Sequence, residues 1–382
     1  MWRNIASNAL SLFIVALIAM GGVIAWGKNQ YSAAGPLEQA ICVKVDRGSS
    51  MGKVSAALAE RGAINNPSIM RIGADYSDKS QLLKAGSFLV PERASMRDIV
   101  DIVTRGGAST CGTEVVLRVG VTRAEIQVRE LDPTTDRFVT VSTYLPADDA
   151  VPEQYLAVRE DADTRYRIAL AEGATSWQIV QALNAADFLT GTLAELPAEG
   201  SLAPDSYEVR AGDERTALID AMTAEQAVRL AEAWANRADG LPLKSPQEAL
   251  ILASIVEKET GLPEERGQVA SVFVNRLERG MKLQTDPTVI YGVTNGQGVL
   301  GRGLRQSELR RETPFNTYVI EGLPPTPIAN PGLASLQAAL NPDDTPYIFF
   351  VADGTGGHAF ATTLAEHNAN VAKWRKIEAD NN

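Results

Sequence analysis

Cysteine and histidine are scarce in this chain, with only two residues of each type among 382. Cys42 and Cys111 do not form a Cys-x-x-Cys pair, and neither His358 nor His367 belongs to a His-Glu-x-x-His sequence. Zinc fingers, thioredoxin-like redox sites and histidine-rich metal sites require such groupings. We therefore expect the protein to use no metal and no cofactor.

Positive charge is also in deficit. The chain has 36 Lys and Arg residues against 47 Asp and Glu, and its net charge is -11. A protein that binds a nucleic-acid backbone needs a basic face, so nucleic acid is excluded as a partner. The content of hydrophobic residues is 45% and that of charged residues 22%, which is ordinary for globular domains, and the length suits two or three of them.

One long run carries no charge at all. Residues 9–26 read ALSLFIVALIAMGGVIAW and lie between Arg3 and Lys28, which is about the minimum length for a helix that spans a bilayer. We expect a transmembrane helix here, with residues 1–8 in the cytoplasm and the rest of the chain exported. The alternative is a cleaved signal peptide with small residues at positions 32 and 34. The length of the run and the interfacial character of Trp26 favour the anchor.

Beyond a short linker expected at 30–36, strands and helices alternate. Similar elements return later in the chain, since Gly48 and Val54 match Gly173 and Ile179, 125 positions further on. The match predicts two related small α/β modules, although helical periodicity alone can produce such a similarity by chance. In the first module, strands are expected at 40–45 and 86–90 and helices at 51–61 and 95–103.

Residues 113–163 differ from both modules. Charged and apolar residues alternate there in four runs, TEVVLRV, AEIQVRE, RFVTVSTY and EQYLAVRE. Alternation of this kind predicts strands with one exposed face. We therefore expect a strand-rich insert, to which the sequence assigns no chemistry.

A helix that begins at Ser245 carries the most informative carboxylate. The sequence Ser-Pro-Gln-Glu predicts a capping box with proline at the first helical position. At 100° per residue, Glu259 falls in the middle of an apolar stripe, whereas Glu257 points to the opposite side, towards water. The stripe consists of Ile251, Leu252, Ile255 and Val256. Gly261 is expected to cap the end of the helix.

This placement has a chemical consequence, because burial raises the pKa of a carboxyl group towards the range that a general acid needs. The alternative is that Glu259 turns outward at the last turn or pairs with an arginine such as Arg266. Helical geometry alone does not decide between these interpretations.

A set of sequence blocks resembles the endolytic murein transglycosylase (YceG-like) family. The blocks run from 251 to 368 as ILASIVEKETG, VASVFVNRL, GMKLQTDPTVIYG, FNTYVIEGLPP, ANPG, TPYIFFVADGTGGHAF and HN. The segments 42–106 and 166–213 also resemble that family, the first as a LysM-like module. The insert at 113–163 departs from the shorter family pattern.

The resemblance implies that the second glutamate of EKET, Glu259, is the catalytic residue. It implies a lyase that cleaves the MurNAc-GlcNAc bond inside nascent peptidoglycan strands, leaves 1,6-anhydro-MurNAc ends and limits strand length. Ordinary glycosidases use two carboxylates, whereas this mechanism needs one, which acts first as acid and then as base. The implied location is the inner membrane, with the catalytic part in the periplasm, and a peptidoglycan synthase complex is a candidate partner.

Polar and aromatic residues downstream of Glu259 are candidates for binding the glycan, because hydrogen-bonding groups and aromatic faces suit sugars. Each of them alone could instead stabilise a loop. The candidates are Gln284, Thr285, Asp286, Tyr291, Asn316, Tyr318 and Glu321.

The expected fold is α+β, with the N-terminal transmembrane helix followed by the modules and a C-terminal mixed α/β catalytic domain. TPYIFFVAD predicts a buried strand in that domain, and 363–378 a C-terminal helix. The expected segments are 1–8 (cytoplasmic), 9–26 (transmembrane), 37–110 (LysM-like module), 111–163 (insert), 164–240 (second module and connecting helix) and 241–382 (catalytic domain).

Two other functions remain open from the sequence. One is a non-catalytic peptidoglycan-binding scaffold, and the other is a muramidase that uses Asp286 as a second carboxylate. The GxGxxG match at 296–301 lacks the strand and long helix of a dinucleotide site, so a loop is expected there. Export would permit a disulfide between Cys42 and Cys111, with two buried free thiols as the alternative.

Overall fold

The computed structural model describes residues 2–105, 110–147, 150–161 and 163–381, without the side chains of 2–9, 11, 380 and 381. Residues 1, 106–109, 148, 149, 162 and 382 lie outside the described residues. They belong to the predicted segments 1–8, 37–110, 111–163 and 241–382. The architecture is mixed α+β, as expected. The chain forms two compact units, and we call them the first unit (Met1–Val115, Val128–Thr143, Pro152–Arg165) and the second unit (Val116–Gln127, Tyr144–Val151, Tyr166–Asn382).

The first helix, α1 (Trp2–Ser32), contains the predicted apolar segment 9–26 and continues beyond it. Its stretch Leu12–Ser32 is long and apolar enough to cross a membrane, a criterion that a signal sequence near the N-terminus also meets. The expected linker at 30–36 is shorter than predicted, because the helix runs to Ser32 and Tyr31 packs against the core of the first unit. Leu37 is already buried in that core.

The rest of the first unit begins with a two-stranded antiparallel sheet, in which Ile41 pairs with Val90 and Val45 with Gly86. Three helices cover it, and each has a polar N-cap that accepts a backbone hydrogen bond, as helix starts require. The caps are Ser50, Asn66 and Ser95, the last in a capping box with Asp98. The elements are β1 (Ile41–Val45), α2 (Met51–Glu60), α3 (Pro67–Tyr76), β2 (Gly86–Val90) and α4 (Met96–Thr104).

Cys42 and Cys111 form a disulfide, with their Cα atoms 5.7 Å apart. The distance lies within the range that disulfides span. The sequence left a disulfide and two free thiols as alternatives, and the structure has the disulfide, which connects β1 to the residues just before the next strand. An export route that passes through an oxidising compartment would allow this bond to form.

The segment predicted as an insert holds three strands and one helix. EQYLAVRE was wrongly predicted to be a strand, because Glu153–Val158 forms α5. Glu, Gln, Leu and Ala are good helix formers, and Pro152 precedes them at the N-cap position. The segment therefore forms a short helix, although the alternation of its apolar and polar residues is also compatible with a strand. The strands are β3 (Thr113–Val119), β4 (Ala124–Asp132) and β5 (Arg137–Tyr144).

These strands belong to a five-stranded sheet in the order β5-β4-β3-β6-β7, in which β6 is Arg165–Leu170 and β7 is Ser206–Val209. Strands β6 and β7 are antiparallel, with Tyr166 opposite Val209 and Ile168 opposite Tyr207. The strand-rich segment therefore shares its sheet with strands of the second predicted module.

The second unit is mainly helical. Its helices and strands are α6 (Ser176–Ala185), α7 (Arg215–Ala235), α8 (Pro246–Glu259), a 3-10 turn (Pro263–Glu265), α9 (Arg266–Glu278), α10 (Asp286–Thr294), α11 (Gln306–Arg310), α12 (Leu333–Leu340), β8 (Phe349–Ala352), β9 (His358–Ala361) and α13 (Leu364–Asn381). The strand predicted from TPYIFFVAD is shorter than expected and only half-buried, and it pairs antiparallel with β9. The glycines at 296–301 lie in the loop between α10 and α11, as predicted.

Helix α8 lies at the centre of the second unit. All eight residues from 249 to 256 are buried, including the polar Ser254. Helices α9 and α12 pack against it, together with residues of the loop at 328. The predicted single apolar stripe was therefore too narrow, because α8 is covered on nearly every side.

Candidate active site

Helix α8 positions Glu259 as its last residue. Ser245 Oγ accepts a hydrogen bond from the backbone N–H of Glu248 over 3.2 Å, which anchors the start of the helix. The predicted cap at Gly261 was wrong, because the backbone is already extended at Thr260, with φ -139° and ψ 133°. Thr260 Oγ1 then accepts the N–H of Leu262 over 3.0 Å, which turns the chain away from the helix axis.

The helical projection predicted that the neighbouring Glu257 faces open water, and this prediction was wrong. It is half-buried, and its carboxylate accepts a hydrogen bond from the N–H of Gly332 over 3.0 Å, at the start of α12. Glu257 also acts on a second carboxyl group, that of Glu172. Burial raises the pKa of Glu172, and the negative charge of Glu257 raises it further. Because α8 is central to the unit, its polar side is covered as well, and Glu257 has a structural partner there.

The carboxyl group of Glu259 lies in an environment that favours its protonated form. Burial raises its pKa above the ordinary value of a glutamate, although the residue keeps part of its surface accessible. The hydroxyl of Thr285, which donates a hydrogen bond to Oε1, acts in the opposite direction. His358 and Arg276 also lower the pKa by their charge, while Asp286 raises it. The net result is a raised pKa, as a general acid requires.

A network of three buried threonines holds the Thr285 hydroxyl in place. Thr285, Thr288 and Thr317 are all at most 2% exposed. The N–H of Thr285 donates to Thr317 Oγ1 over 3.1 Å, and the hydroxyls of Thr288 and Thr317 lie 2.9 Å apart. Gln284 adopts a left-handed conformation with φ 50° just before this contact. The loop that faces Glu259 is therefore fixed by buried hydrogen bonds.

Asp286 and Tyr318 form the exposed edge of the site. Asp286 begins α10 and accepts a hydrogen bond from the hydroxyl of Tyr318 over 2.7 Å. Burial raises the pKa of Tyr318, and the hydrogen bond and the charge of Asp286 raise it further. Of the predicted candidates, Gln284, Thr285, Asp286 and Tyr318 are thus grouped in the loops beside Glu259.

The other three candidates are placed differently. Tyr291 donates its hydroxyl to Glu199 over 3.1 Å. Asn316 is completely buried, and its amide donates to three backbone carbonyls, of Glu308 (3.1 Å), Leu309 (3.1 Å) and Arg311 (2.6 Å). Glu321 is exposed on the surface. Asn316 therefore organises a loop in this conformation, and Tyr291 belongs to a separate hydrogen-bond group.

Arg276 is a site residue that sequence reasoning missed. Its guanidinium is almost buried and donates to the carbonyl oxygens of Ile348 and Leu283, each over 2.7 Å. Burial lowers the pKa of Arg276, while Tyr318 and Glu259 raise it. The arginine thus ties the loop before Gln284 to β8 and places a positive charge within electrostatic reach of Glu259. Its position in the run VNRL offered no local signal.

His358 forms a pair with Glu265. Its ring Nδ1 is 2.8 Å from Glu265 Oε2, and its backbone N–H donates to Glu265 Oε1, also over 2.8 Å. Glu265 lies in the 3-10 turn that follows Glu259 by a few residues. This double contact holds the first residue of β9 against the 3-10 turn between α8 and α9. The positive form of His358 would stabilise the carboxylate of Glu259.

A second buried carboxylate lies outside this group. Glu199 accepts hydrogen bonds from the N–H of Ser176 over 2.8 Å, from Tyr291 and from the amide of Asn330 over 3.3 Å. Burial raises the pKa of Glu199 despite these donors. Residues far apart in the chain supply its partners, so no local sequence pattern indicates this group.

The arrangement around Glu259 suits proton transfer by one group. Burial favours the protonated carboxyl, and Thr285, Arg276 and the positive form of His358 favour the carboxylate once the proton has left. The charge of Asp286 raises the pKa of Glu259, and the carboxylate of Asp286 accepts the hydroxyl of Tyr318. The site therefore provides an acid that can become a base within the same cycle.

Comparison with known proteins places the chain in a family. The model of the YceG-like family matches residues 43–373. The endolytic murein transglycosylase of Bacillus subtilis strain 168 is 38% identical over 180 residues, 47% of this chain and 48% of that protein. The one from Streptococcus pneumoniae serotype 2 is 26% identical over 378 residues, 95% of this chain and 64% of that protein.

This chain thus spans about half the length of the Bacillus subtilis protein and about two thirds of that of the Streptococcus pneumoniae protein. A crystal structure of a YceG-like protein from Listeria monocytogenes aligns with 87% of this chain and 99% of its own, at 25% identity and a TM-score of 0.46. The family match covers most of the 382 residues. The chain belongs to the YceG-like family.

Proposed function

We propose that this protein is a peptidoglycan lytic transglycosylase that cleaves the MurNAc-GlcNAc bond within glycan strands, with Glu259 as the catalytic residue. The observation that carries the proposal is the raised pKa of a partly accessible Glu259 whose carboxylate accepts the Thr285 hydroxyl. The family and the names of its curated relatives support the substrate class.

The proposed reaction passes one proton out of Glu259 and back to it. The protonated carboxyl donates its proton to the glycosidic oxygen, and the bond from that oxygen to C1 of MurNAc breaks. The resulting carboxylate accepts the proton of the MurNAc C6 hydroxyl while that oxygen bonds to C1. The products are a 1,6-anhydro-MurNAc end and a GlcNAc end with a free hydroxyl, so no water is consumed.

Charges around Glu259 favour the intermediate stage of this cycle. Arg276 and the Thr285 hydroxyl stabilise the carboxylate after it has released its proton, because positive charge and donors act strongly where water is excluded. His358 adds to this effect in its protonated form. The hydroxyl of the substrate itself serves as nucleophile, which makes use of proximity within the sugar ring.

Among the predicted binding residues, Gln284, Asp286 and Tyr318 are proposed to contact the glycan from the loops beside Glu259. Thr285 is proposed to act on Glu259 itself. Asn316 and Tyr291 are proposed as positioning residues, since their polar groups are already used within the protein. Glu321, exposed on the surface, remains a candidate for a more distant part of the strand.

The location of the activity is part of the proposal. Helix α1 would anchor the protein in the inner membrane as a single pass, with the catalytic part in the periplasm, and the disulfide of the first unit is consistent with export. Residues 37–110 would act as a LysM-like module that holds glycan. Cleavage near the membrane would limit the length of nascent strands, beside a peptidoglycan synthase.

The test is a product analysis with a matched pair of variants. Glu259→Gln is expected to reduce cleavage of purified glycan strands by about 100-fold to 10,000-fold, the usual contribution of general acid-base catalysis. Glu257→Gln is expected to retain most of the activity, because its amide oxygen can still accept the N–H of Gly332. Mass spectrometry of the wild-type products should find 1,6-anhydro ends. Equal loss in both variants would overturn the assignment of Glu259.

A muramidase is the second candidate, favoured by the electrostatic effect of Asp286 on Glu259. Digestion in water enriched in heavy oxygen separates the two reactions, because hydrolysis would place that oxygen at the new reducing end. Labelled reducing ends would establish the muramidase and reject the lyase. Intact strands after prolonged digestion would leave a binding scaffold.

A further inference from the structure

An exposed aromatic side chain lies beside the end of the N-terminal helix. Tyr76, the last residue of α3, has 79% of its surface exposed. The Nζ atom of Lys28 in α1 lies 5.3 Å from the centroid of its ring. A single exposed apolar residue is common on protein surfaces, so its position relative to the apolar segment of α1 decides its significance.

Helix α3 runs back along α1 towards that apolar segment. The ring of Tyr31 lies so close to Gly73 that a Cβ atom at Gly73 would be 2.4 Å from Tyr31 Cε2. Lys28 is three residues before Tyr31 in α1, and Tyr76 is three residues after Gly73 in α3. The ammonium of Lys28 lies over the ring of Tyr76. The two helices are therefore antiparallel here, and at 1.5 Å per residue Tyr76 is about 4.5 Å closer to the apolar segment than Gly73.

The end of α1 and the first unit are packed together rather than connected by a loose tether. Tyr31 packs against the core cluster that includes Met70 and Ala74 of α3, both completely buried. Helix α1 contacts both α3 and α4. The close approach at Gly73 leaves no space for a larger side chain, so the position of α3 follows that of α1.

The sequence of α1 marks the depth at which Tyr76 lies. The uncharged run ends at Trp26, and Lys28 is the first charged residue after it. Tryptophan and tyrosine concentrate at the level of the lipid headgroups, and lysine extends its ammonium to the same level. Because Tyr76 contacts Lys28, it lies at this interfacial depth if α1 spans a bilayer.

We propose that the C-terminal end of α3, with Tyr76 at its tip, inserts into the headgroup region of the membrane that α1 crosses. This surface seats the first unit on the lipid bilayer, and it rests on the membrane anchor of the proposed function. The nearby charges include Asp75 and Asp78 as well as Lys28 and Lys79. Since both signs are present, the aromatic ring supplies the contact, and the same insertion is expected in zwitterionic and anionic lipid.

Depth-dependent fluorescence quenching of the full-length protein in vesicles tests this surface. Single cysteines are introduced as Asp75→Cys, Trp26→Cys and Ser68→Cys and labelled with an environment-sensitive dye, while Cys42 and Cys111 remain in their disulfide. Ser68 is the matched control, because it is exposed on the same helix about 10 Å further from the membrane. Asp75 is exposed beside Tyr76, so the ring that is proposed to insert stays in place. The vesicles are phosphatidylcholine with a spin label near the headgroup.

The label at position 75 is expected to be quenched at least about threefold more than the label at position 68, given the separation along the helix. Equal quenching at 75 and 68, with strong quenching at 26, would overturn the proposal and leave the anchor intact. Absence of quenching at 26 would remove the anchor and this proposal together. Glycan cleavage by the same preparations is measured separately, so the enzymatic proposal stands or falls on its own.

Discussion

The hydroxyl of Thr285 donates a hydrogen bond to the carboxylate of Glu259, although 26 residues separate them in the sequence. The two side chains meet because Thr285 is fixed from behind by Thr317, whose hydroxyl accepts the N–H of Thr285. A donor held in this way stabilises the carboxylate more than the carboxylic acid, and it lowers the pKa of Glu259 against the effect of burial.

Replacement of this donor should therefore change both rate and pH dependence. In Thr285→Val, cleavage is expected to fall by about 10-fold to 100-fold, since a hydrogen bond to a charged group contributes about 1.5–3 kcal/mol. The pKa of Glu259 rises when the donor is lost, so the alkaline limb of kcat/KM should move to higher pH. Thr285→Ser keeps the hydroxyl and should retain the wild-type limb. An unchanged limb in the valine variant would contradict the role of Thr285.

Arg276 is expected to show separate effects of its charge and its hydrogen bonds. Arg276→Met removes both, so the alkaline limb should move to higher pH, because the positive charge lowers the pKa of Glu259. The free energy of unfolding should fall by about 3 kcal/mol or more, because buried carbonyl groups lose their donors. Arg276→Lys keeps the positive charge but lacks the guanidinium N–H groups that donate to the carbonyl oxygens of Ile348 and Leu283.

The lysine variant should therefore keep the wild-type pH limb while losing stability. Urea unfolding and pH-rate profiles on the same preparations measure the two effects. If both variants kept the wild-type limb, Arg276 would have only a structural role.

Glu259 itself should cost the protein stability at higher pH. Its pKa is raised in the folded state, so the stability contributed by the bound proton is fully present below the pKa of the unfolded carboxyl, about 4.3, and is lost as pH rises through the folded pKa. Glu259→Gln does not titrate. The variant should therefore become increasingly more stable than the wild type from pH 5 to pH 8, while its activity is lost. A difference in melting temperature that stays constant over this range would argue against a raised pKa.

The disulfide is expected to stabilise the first unit. Cys42→Ala with Cys111→Ala should lower its unfolding free energy by about 4 kcal/mol, the entropic estimate for a closed loop of this length. Thermal unfolding of oxidised protein, reduced protein and the double variant provides the comparison. Peptide mapping under non-reducing conditions should recover the two cysteines as one linked pair from native membranes. Recovery of both as free thiols would rule out the bridge.

Local features of the sequence determined much of the fold and the position of Glu259 at the end of a helix. The Ser245 cap and the proline after it predicted the start of α8, because this contact spans only three residues. Helical projection placed Glu259 with the apolar stripe and Glu257 on the opposite side, but it did not decide the role of Glu259. The uncharged run in α1 was visible in the same way. The prediction of secondary structure was wrong at α5, because that segment is too short for periodicity to distinguish a helix from a strand.

Only the tertiary structure decided what surrounds Glu259. Arg276 and His358 approach it from α9 and β9, and no periodicity within one helix encodes such contacts. Glu257, predicted to face water, binds the N–H of Gly332 because a helix at the centre of a unit is covered on its polar side too. The pKa of Glu259 is raised by burial, and burial depends on how distant segments pack rather than on the order of residues in α8.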